Sequence, residues 1–127
     1  MHIRNILFPT DFSERAGAIV PHVRAACDRF NARLTLLHTI VVPTYSGFPE
    51  APAGLAFPCE EMKESAVDSL KTLTSCFPQI STEMLVKDGD PASGIAAAVQ
   101  ENGIDLVMMP TRGLGRFRSP LAAAQPT

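Results

Sequence analysis

The sequence predicts an α/β domain built on a doubly wound parallel sheet, and three observations support this prediction. Short apolar runs alternate along the chain with stretches of helical spacing. The runs are nearly continuous in apolar residues, as strands covered on both faces should be. Residues 90–103 carry a complete set of helix start and stop signals. Such alternation favours right-handed crossovers with helices on both faces of the sheet.

The composition is that of one domain spanning residues 1–127. Hydrophobic residues make up 46%, charged residues 19%, and the formal net charge is −2. This charge gives the whole molecule no attraction to nucleic acid or to an anionic membrane. No segment reaches the roughly 18 to 20 apolar residues that a membrane span needs. We expect a cytoplasmic protein with reduced thiols, because Cys27, Cys59 and Cys76 are widely and irregularly spaced.

The N-terminal region predicts a strand followed by a helix. Ile3 to Thr10 is a short apolar run that reads as a buried strand. Asp11 or Ser13 can then cap a helix, because either side chain can accept from first-turn amides. Apolar residues at three- and four-residue steps predict a helix over Ala16 to Phe30. Pro21 lies inside this helix and predicts a bend.

The next strand, loop, helix and strand follow in the same order. Ala32 to Val42 is nearly continuous in β-favouring residues and predicts the second strand. Residues 43–58 are rich in proline and glycine and predict an unusually long loop. Residues 59–76 return to helical spacing, and Ser81 to Gly89 predicts the third strand.

The last predicted helix and strand have the clearest local signals. Asp90 suits the helix cap, Pro91 the first helical position and Gly103 the stop. Ile104 to Met109 then predicts the fourth strand. Each of the first three strands is thus followed by a predicted helix, whereas the fourth is not.

Two loops lie where such a sheet binds ligands, beyond the carboxyl ends of the strands at the point where the strand order reverses. Pro9-Thr10-Asp11 follows the first strand, and Pro110-Thr111-Arg112-Gly113 follows the fourth. If these two strands are neighbours, both loops face one crevice. Asp11 is then a candidate to hydrogen-bond a ribose hydroxyl or to help hold magnesium beside phosphates.

The second loop has the chemistry of an anion site. Gly113 and Gly115 let main-chain amides approach an anion without β-carbon obstruction. Arg112, Arg116 and Arg118 offer charge-assisted hydrogen bonds to phosphate oxygens.

The same residues also have purely structural explanations. Asp11 can serve only as a cap, and glycine after a strand can serve turn geometry alone. The phosphate loop of nucleotide hydrolases and the dinucleotide fingerprint are both absent from the sequence. His38 suits a partly buried hydrogen-bonding group better than a catalyst. We assign no catalytic and no metal-ligating residue, and we expect no enzyme.

Four segments together resemble the universal stress protein family: ILFPTDFSERA, ARLTLLHTI, DGDPASGI and DLVMMPTRGLGRFR. They run in order from Ile3 to about Ser119, which is nearly the whole chain. The resemblance implies a five-stranded parallel sheet of the adenine nucleotide alpha hydrolase-like type, usually in a homodimer. It also implies a cytoplasmic protein of the stress response, from a family in which one branch binds ATP and another does not.

The resemblance implies a set of nucleotide-binding positions. The Pro-Thr-Asp of the family matches Pro9, Thr10 and Asp11, and the adenine contact near the end of the second strand maps to Thr39 or Ile40. The family's phosphate pattern, Gly-x-x-Gly, falls on Pro110, Thr111, Arg112 and Gly113, with Gly115 just beyond.

The resemblance is lost after Ser119. In the family a Gly-Ser or Gly-Thr pair then begins a helix whose amides face the phosphates, whereas Ala123-Ala124 occupies the matching place here. We therefore expect the last helix and the fifth strand to be missing. A frameshift, a truncation or an engineered ending is our hypothesis for this difference.

Two functions follow as hypotheses. The first is a stress-response regulatory protein that binds an adenine nucleotide, ATP (with magnesium) or AMP, weakly because half of the phosphate site is absent. The second is a non-catalytic dimerisation or interaction module that binds no nucleotide. Slow ATP hydrolysis is the least favoured function, because no general base is evident.

Overall fold

The computed structural model of the protein describes residues 2–41 and 60–110. The strands are β1 (Asn5–Pro9), β2 (Arg33–Ile40), β3 (Thr82–Asp88) and β4 (Leu106–Val107). The helices are α1 (Glu14–Ala18), α2 (Val20–Phe30), α3 (Glu60–Thr74) and α4 (Pro91–Asn102). Within these two ranges no helix is both long and apolar enough to cross a membrane. The predicted loop at 43–58 lies outside the described residues.

The described strands form one parallel four-stranded sheet in the order β3-β2-β1-β4. Asn5 pairs with Arg33 at the start of β1, and Ile6 pairs with Leu106 on the other side. The chain therefore moves outward from β1 to β3 and then returns to place β4 on the opposite side of β1. The predicted parallel α/β sheet is confirmed, and the strand order reverses between β1 and β4.

Helices cover both faces of the sheet, as predicted. The first core cluster joins alternate strand residues to α1, α2 and α3, and its buried members are Ile6, Phe8, Ala16, Val23, Cys27, Ala32, Leu34, Leu36, Leu70 and Phe77. The second cluster joins the intervening strand residues to α4, and its buried members are Leu7, Leu37 and Ala98. We call these the α3 face and the α4 face of the sheet.

The predicted single bent helix over residues 16–30 is wrong, because the chain forms two helices there. Helix α1 ends at Ala18, and the amide of its C-cap residue Ile19 donates to the carbonyl of Ala16 at 3.3 Å. Helix α2 then begins at Val20, with Pro21 in its first turn. Proline is tolerated in a first turn because its missing N–H has no partner to lose there. Pro21 therefore starts a new helix instead of bending an existing one.

The end signals of α4 act as the sequence predicts. The Asp90 carboxylate accepts from the Ser93 amide at 3.0 Å, and Pro91 opens the helix. Gly103 ends it with a φ of 60°, in the left-handed region where glycine is unstrained. The following strand is shorter than the predicted 104–109, since only Leu106–Val107 is strand. Beyond it, the Met108 amide still bonds to the carbonyl of Leu7 at 2.9 Å.

Candidate functional site

A cleft of about 460 Å³ opens at the carboxyl ends of β1, β2 and β4, on the α4 face. This is the point where the strand order reverses, the usual ligand position in an open α/β sheet. Its lining residues are Pro9, Thr10, Asp11, Ser13, Arg15, Leu37, Thr39, Val41, Pro91, Ile95, Met109 and Pro110. The volume lies in the range of about 300 to 1,000 Å³ that small-molecule sites occupy.

The turn after β1 is fixed by hydrogen bonds at each residue. The amide of Thr10 donates to the carbonyl of Leu37 at 2.8 Å, which extends the sheet one residue past the strand. The Thr10 hydroxyl accepts from the amide of Phe12 at 3.0 Å. The carboxylate of Asp11 accepts from the amide of Ser13 at 2.9 Å, and the Ser13 hydroxyl accepts from Ala16 at 3.2 Å. Of the two predicted caps, Ser13 therefore caps α1, and Asp11 caps the turn before it.

Asp11 remains a charged and exposed group in the cleft. Hydrogen bonds from the hydroxyl and amide of Ser13 lower the pKa of the Asp11 carboxyl below its ordinary value, and Arg15 adds a smaller Coulombic effect. Only Oδ1 accepts from the Ser13 amide. A carboxylate has about four lone-pair sites, so Oδ2 can accept from a ligand hydroxyl.

His38 supports the turn from the opposite face of the sheet. Its Nδ1 lies 2.8 Å from the carbonyl oxygen of Thr10. Since a carbonyl only accepts, Nδ1 carries the proton and donates to it. The imidazole also packs on Phe12, with ring centroids 4.6 Å apart. His38 is thus a half-buried hydrogen-bonding group, as the sequence predicts.

Phe12 has an unusual backbone conformation for a bulky residue. Its φ is 61°, in the left-handed region, which costs on the order of 1 to 3 kcal/mol for a non-glycine residue. The bond to the Thr10 hydroxyl and the contact with His38 hold it there. These two contacts therefore hold the turn after Pro-Thr-Asp in a strained backbone conformation.

The structure separates the two residues that the sequence could not distinguish at the end of β2. Thr39 lines the cleft on the α4 face. Ile40 points to the α3 face, where it lines a different groove with Met62 and Ala66 of α3. Side chains alternate between faces along a strand, so only one of the pair can reach the cleft.

Helix α4 approaches the cleft closely because it carries glycine at position 94. A β-carbon on Gly94 would lie 2.9 Å from the hydroxyl of Thr39, closer than non-bonded atoms allow. Pro91 and Ile95 of the same helix line the cleft. The absence of a side chain at Gly94 thus lets α4 pack closely against Thr39 beside the cleft.

Five of the ten predicted binding residues line this cleft: Pro9, Thr10, Asp11, Thr39 and Pro110. Ile40 does not. The other four predicted residues, Thr111, Arg112, Gly113 and Gly115, lie outside the described residues, directly after Pro110 in the chain. The predicted convergence of two loops is therefore visible up to Pro110.

Arg15 and Ile95 line the cleft although sequence reasoning did not select them. The signal for Ile95 is its position four residues after Pro91, which puts the two on one face of α4. Arg15 comes from the first turn of α1, directly after the conspicuous Pro-Thr-Asp segment. No comparable pattern in the sequence marks Arg15 as part of a site.

The described lining favours binding a small organic molecule over metal chemistry. Asp11 is the only carboxylate among the described lining residues. No group of three or more His, Cys, Asp or Glu residues that could hold a metal ion occurs within residues 2–41 and 60–110. A Mg²⁺ ion commonly takes one or two carboxylates together with nucleotide phosphates, so Asp11 could hold magnesium only with a bound nucleotide.

Sequence and structure comparisons agree on one family. The sequence profile described as the universal stress protein family matches residues 2–123. A search of curated proteins finds no match. Many solved structures share the fold, among them the following three.

A universal stress protein from Burkholderia pseudomallei is 22% identical, with 86% of this chain and 82% of that chain covered and a TM-score of 0.62. UspA from Lactobacillus plantarum is 21% identical, with coverages of 98% and 90% and a TM-score of 0.65. A universal stress protein solved in complex with cAMP is 14% identical, with coverages of 92% and 78% and a TM-score of 0.62. At such identities these likenesses show a shared fold.

Proposed function

Because this chain belongs to the universal stress protein family, we propose that it is a stress-response protein that binds an adenine nucleotide. The observation that carries the proposal is the meeting of Asp11, Thr39 and Pro110 in one cleft of about 460 Å³ at the reversal of strand order. The turn after β1, the end of β2 and helix α4 come from separate parts of the chain, yet they line one cleft.

The lining of the cleft contains both kinds of group that a nucleoside needs. Leu37, Val41, Ile95 and Met109 give apolar walls for a flat base. Thr39 supplies a hydroxyl on the same side, which can pair with a base nitrogen. Asp11 supplies a carboxylate oxygen at the mouth, where it would accept from a ribose hydroxyl.

The phosphate half of the proposed site is weaker. Arg15 is the only cation among the described lining residues. Arg112, Gly113 and Gly115 follow in the sequence, but Ala123-Ala124 stands where the family pattern has Gly-Ser. Each charge-assisted hydrogen bond lost contributes about 1.5 to 3 kcal/mol. The loss of two such bonds would weaken the affinity for ATP by roughly two to four orders of magnitude. The affinities for adenosine and AMP would fall less.

The solved relative with cAMP supports an adenine nucleotide as the ligand class, because that protein has the same fold and binds one. Magnesium would enter this chain's site only with a polyphosphate, held by Asp11. We propose a binding protein and not an enzyme, in a cytoplasmic homodimer. Measuring phosphate release from ATP tests whether the protein is an enzyme. ATP turnover by the native protein at a rate above that of an Asp11→Ala variant would contradict the proposal that it only binds the nucleotide.

The decisive experiment is a titration cycle by calorimetry. Adenosine and 2′,3′-dideoxyadenosine are titrated into the native protein and into Asp11→Asn. Asparagine keeps the acceptor for the Ser13 amide but removes the charge, so the turn should persist. We expect native protein to prefer adenosine by roughly one to two orders of magnitude, since a hydrogen bond to a charged group is worth about 1.5 to 3 kcal/mol. Asp11→Asn should lose most of this preference.

Asp105→Asn is the matched control, because that carboxylate lies at the amino end of the strands and accepts from the Arg4 and Asn5 amides. It should keep the full preference for adenosine. Absence of measurable adenosine binding by the native protein would support the interaction module that binds no nucleotide. ATP binding at low micromolar strength would contradict the weak phosphate half.

A further inference from the structure

Strand β3 is an edge strand of the described sheet, and its edge is complementary to itself. The sheet order ends at β3, whose only strand neighbour among residues 2–41 and 60–110 is β2. Met84 in the middle of this edge is 37% exposed. An edge strand presents unpaired N–H and C=O groups to any strand that can align with it.

The backbone shows which residues of β3 face outward. The carbonyl of Ser81 accepts from Leu34, and the amide of Gly89 donates to Ile40. Odd-numbered residues of β3 therefore bond to β2. Even-numbered residues, among them Met84 and Val86, direct their amides and carbonyls away from it, since the two sets alternate along a strand.

The side chains divide between the faces with the same alternation. Leu85 packs in the core on the α4 face, and Lys87 lies on that face too, with Nζ 3.0 Å from Glu101 of α4. Glu83 shares their parity. Val86 packs against the core on the α3 face. The order along one face is thus acid, apolar, base.

We propose that β3 pairs antiparallel with β3 of a second copy of this chain, about a twofold axis through Leu85, to form one continuous sheet. In this register Met84 faces the partner's Val86, and their outward groups exchange hydrogen bonds. Glu83 faces the partner's Lys87, and Lys87 faces the partner's Glu83. These charge pairs fall at the non-hydrogen-bonded positions, where opposing side chains come closest.

The charges select this register over its neighbours. Moving the axis by one residue, to Met84 or Val86, sets a charged residue against Leu85. Only the axis at Leu85 pairs Glu83 with Lys87 in both directions and keeps like faces together, while Asp88 at the end of the strand faces the partner's Thr82. Within one chain these charges have exposed partners: Arg33 lies 3.6 Å from Glu83, and Glu101 lies 3.0 Å from Lys87. The Arg33–Glu83 pair is exposed on both sides, whereas the Lys87 side chain is 27% exposed beside the exposed Glu101. Surface pairs contribute little free energy, so both charges can exchange these partners for those across the edge.

The test uses two charge reversals and their mixture. In Glu83→Lys the edge carries two bases, and in Lys87→Glu it carries two acids. We expect each variant alone to dissociate at least tenfold more readily than native protein in sedimentation equilibrium, because like charges then meet twice in the dimer. An equimolar mixture should form a heterodimer at native strength, since every pair is again opposite. Circular dichroism checks that each variant folds.

A second measurement needs no variant. A carbodiimide couples a carboxylate to an amine in contact, and Glu83 and Lys87 of one strand are about 13 Å apart at 3.3 Å per residue. A Glu83–Lys87 link, found with both isotopes in a mixture of ¹⁴N and ¹⁵N protein, can therefore only join two copies. The proposal is overturned if native protein is monomeric, if the single variants still dimerise at native strength, or if their mixture does not associate.

Discussion

The two faces of the sheet differ in how their helices are packed, and the difference separates stability from binding. On the α3 face three helices meet the sheet through a core of ten buried residues. On the α4 face, within residues 2–41 and 60–110, one helix meets the sheet through three buried residues. The candidate cleft opens on the thinner face, beside Thr39 and Gly94. The cleft therefore lies on the face that has fewer buried core residues in the part of the chain that the structure describes.

The comparison predicts that the largest stability effects come from the α3 face. Phe77 is 2% exposed and meets Phe8 edge-on, with ring centroids 6.4 Å apart. Phe77→Ala should lower the free energy of unfolding by about 3 to 5 kcal/mol, from lost burial and the cavity it leaves. Urea denaturation measures this, and adenosine affinity of the folded protein should stay within twofold of native. A loss below 1 kcal/mol would contradict the assignment of the main core.

Two glycine substitutions compare the faces directly. Gly94→Ala brings a β-carbon to 2.9 Å from the Thr39 hydroxyl, so α4 or Thr39 must move. We expect a loss of about 1 to 3 kcal/mol of stability, typical of overpacking, together with weaker adenosine binding. Thermal unfolding and calorimetry measure both effects.

Gly17→Ala is the matched control, since nothing lies within 4 Å of a β-carbon there. Gly17 is inside α1, so alanine should stabilise the protein by up to about 1 kcal/mol through helix propensity. Equal effects of Gly94→Ala and Gly17→Ala would contradict the role that we assign to Gly94 beside the cleft.

A smaller effect should distinguish the two residues at the end of β2. Thr39→Val keeps the shape and removes the hydroxyl in the cleft, and we expect about a three- to tenfold loss of adenosine affinity for one hydrogen bond of about 1 kcal/mol. Ile40→Val removes one methyl group from the other face and should leave affinity unchanged. The reverse result would place the ligand on the α3 face.

The smallest predicted effect lies at the far end of the strands and depends on pH. The amides of Arg4 and Asn5 donate to Asp105 and lower the pKa of its carboxyl below the ordinary value of 3.8. A carboxyl whose pKa is lower in the folded state stabilises it above the unfolded pKa. That contribution is lost as the pH falls through the folded pKa. Melting temperatures of native protein and Asp105→Asn should therefore converge between pH 5 and strongly acidic pH, whereas a constant difference would contradict this account.

The sequence predicts the elements whose ends carry their own signals. Asp90, Pro91 and Gly103 fix α4 within one residue, because capping and left-handed glycine are local effects. The break between α1 and α2 was missed, since Pro21 fits both a bent helix and a new first turn. The apolar run from Ile104 to Met109 is longer than β4, because only Leu106 and Val107 pair with the neighbouring strand β1.

The candidate site was predicted in part for a similar reason. The Pro-Thr-Asp turn is contiguous in sequence, so a motif locates it. The choice between Thr39 and Ile40 depends on which face of the sheet each side chain takes. Alternation along the strand shows that the two lie on opposite faces, but it does not show which face each one takes. Arg15 and Ile95 reach the cleft through the packing of helices on the sheet, which no short pattern encodes.

The bond from His38 to the carbonyl of Thr10 links the two faces through the sheet. The imidazole does not line the cleft, yet its hydrogen bond is to the peptide group that joins Thr10 to Asp11. We expect a ligand that bonds to the Asp11 side chain to shift this carbonyl and, through the hydrogen bond, the chemical shifts of the imidazole protons. The protein thus contains a natural spectroscopic probe, and its imidazole proton signals can report occupancy without a label.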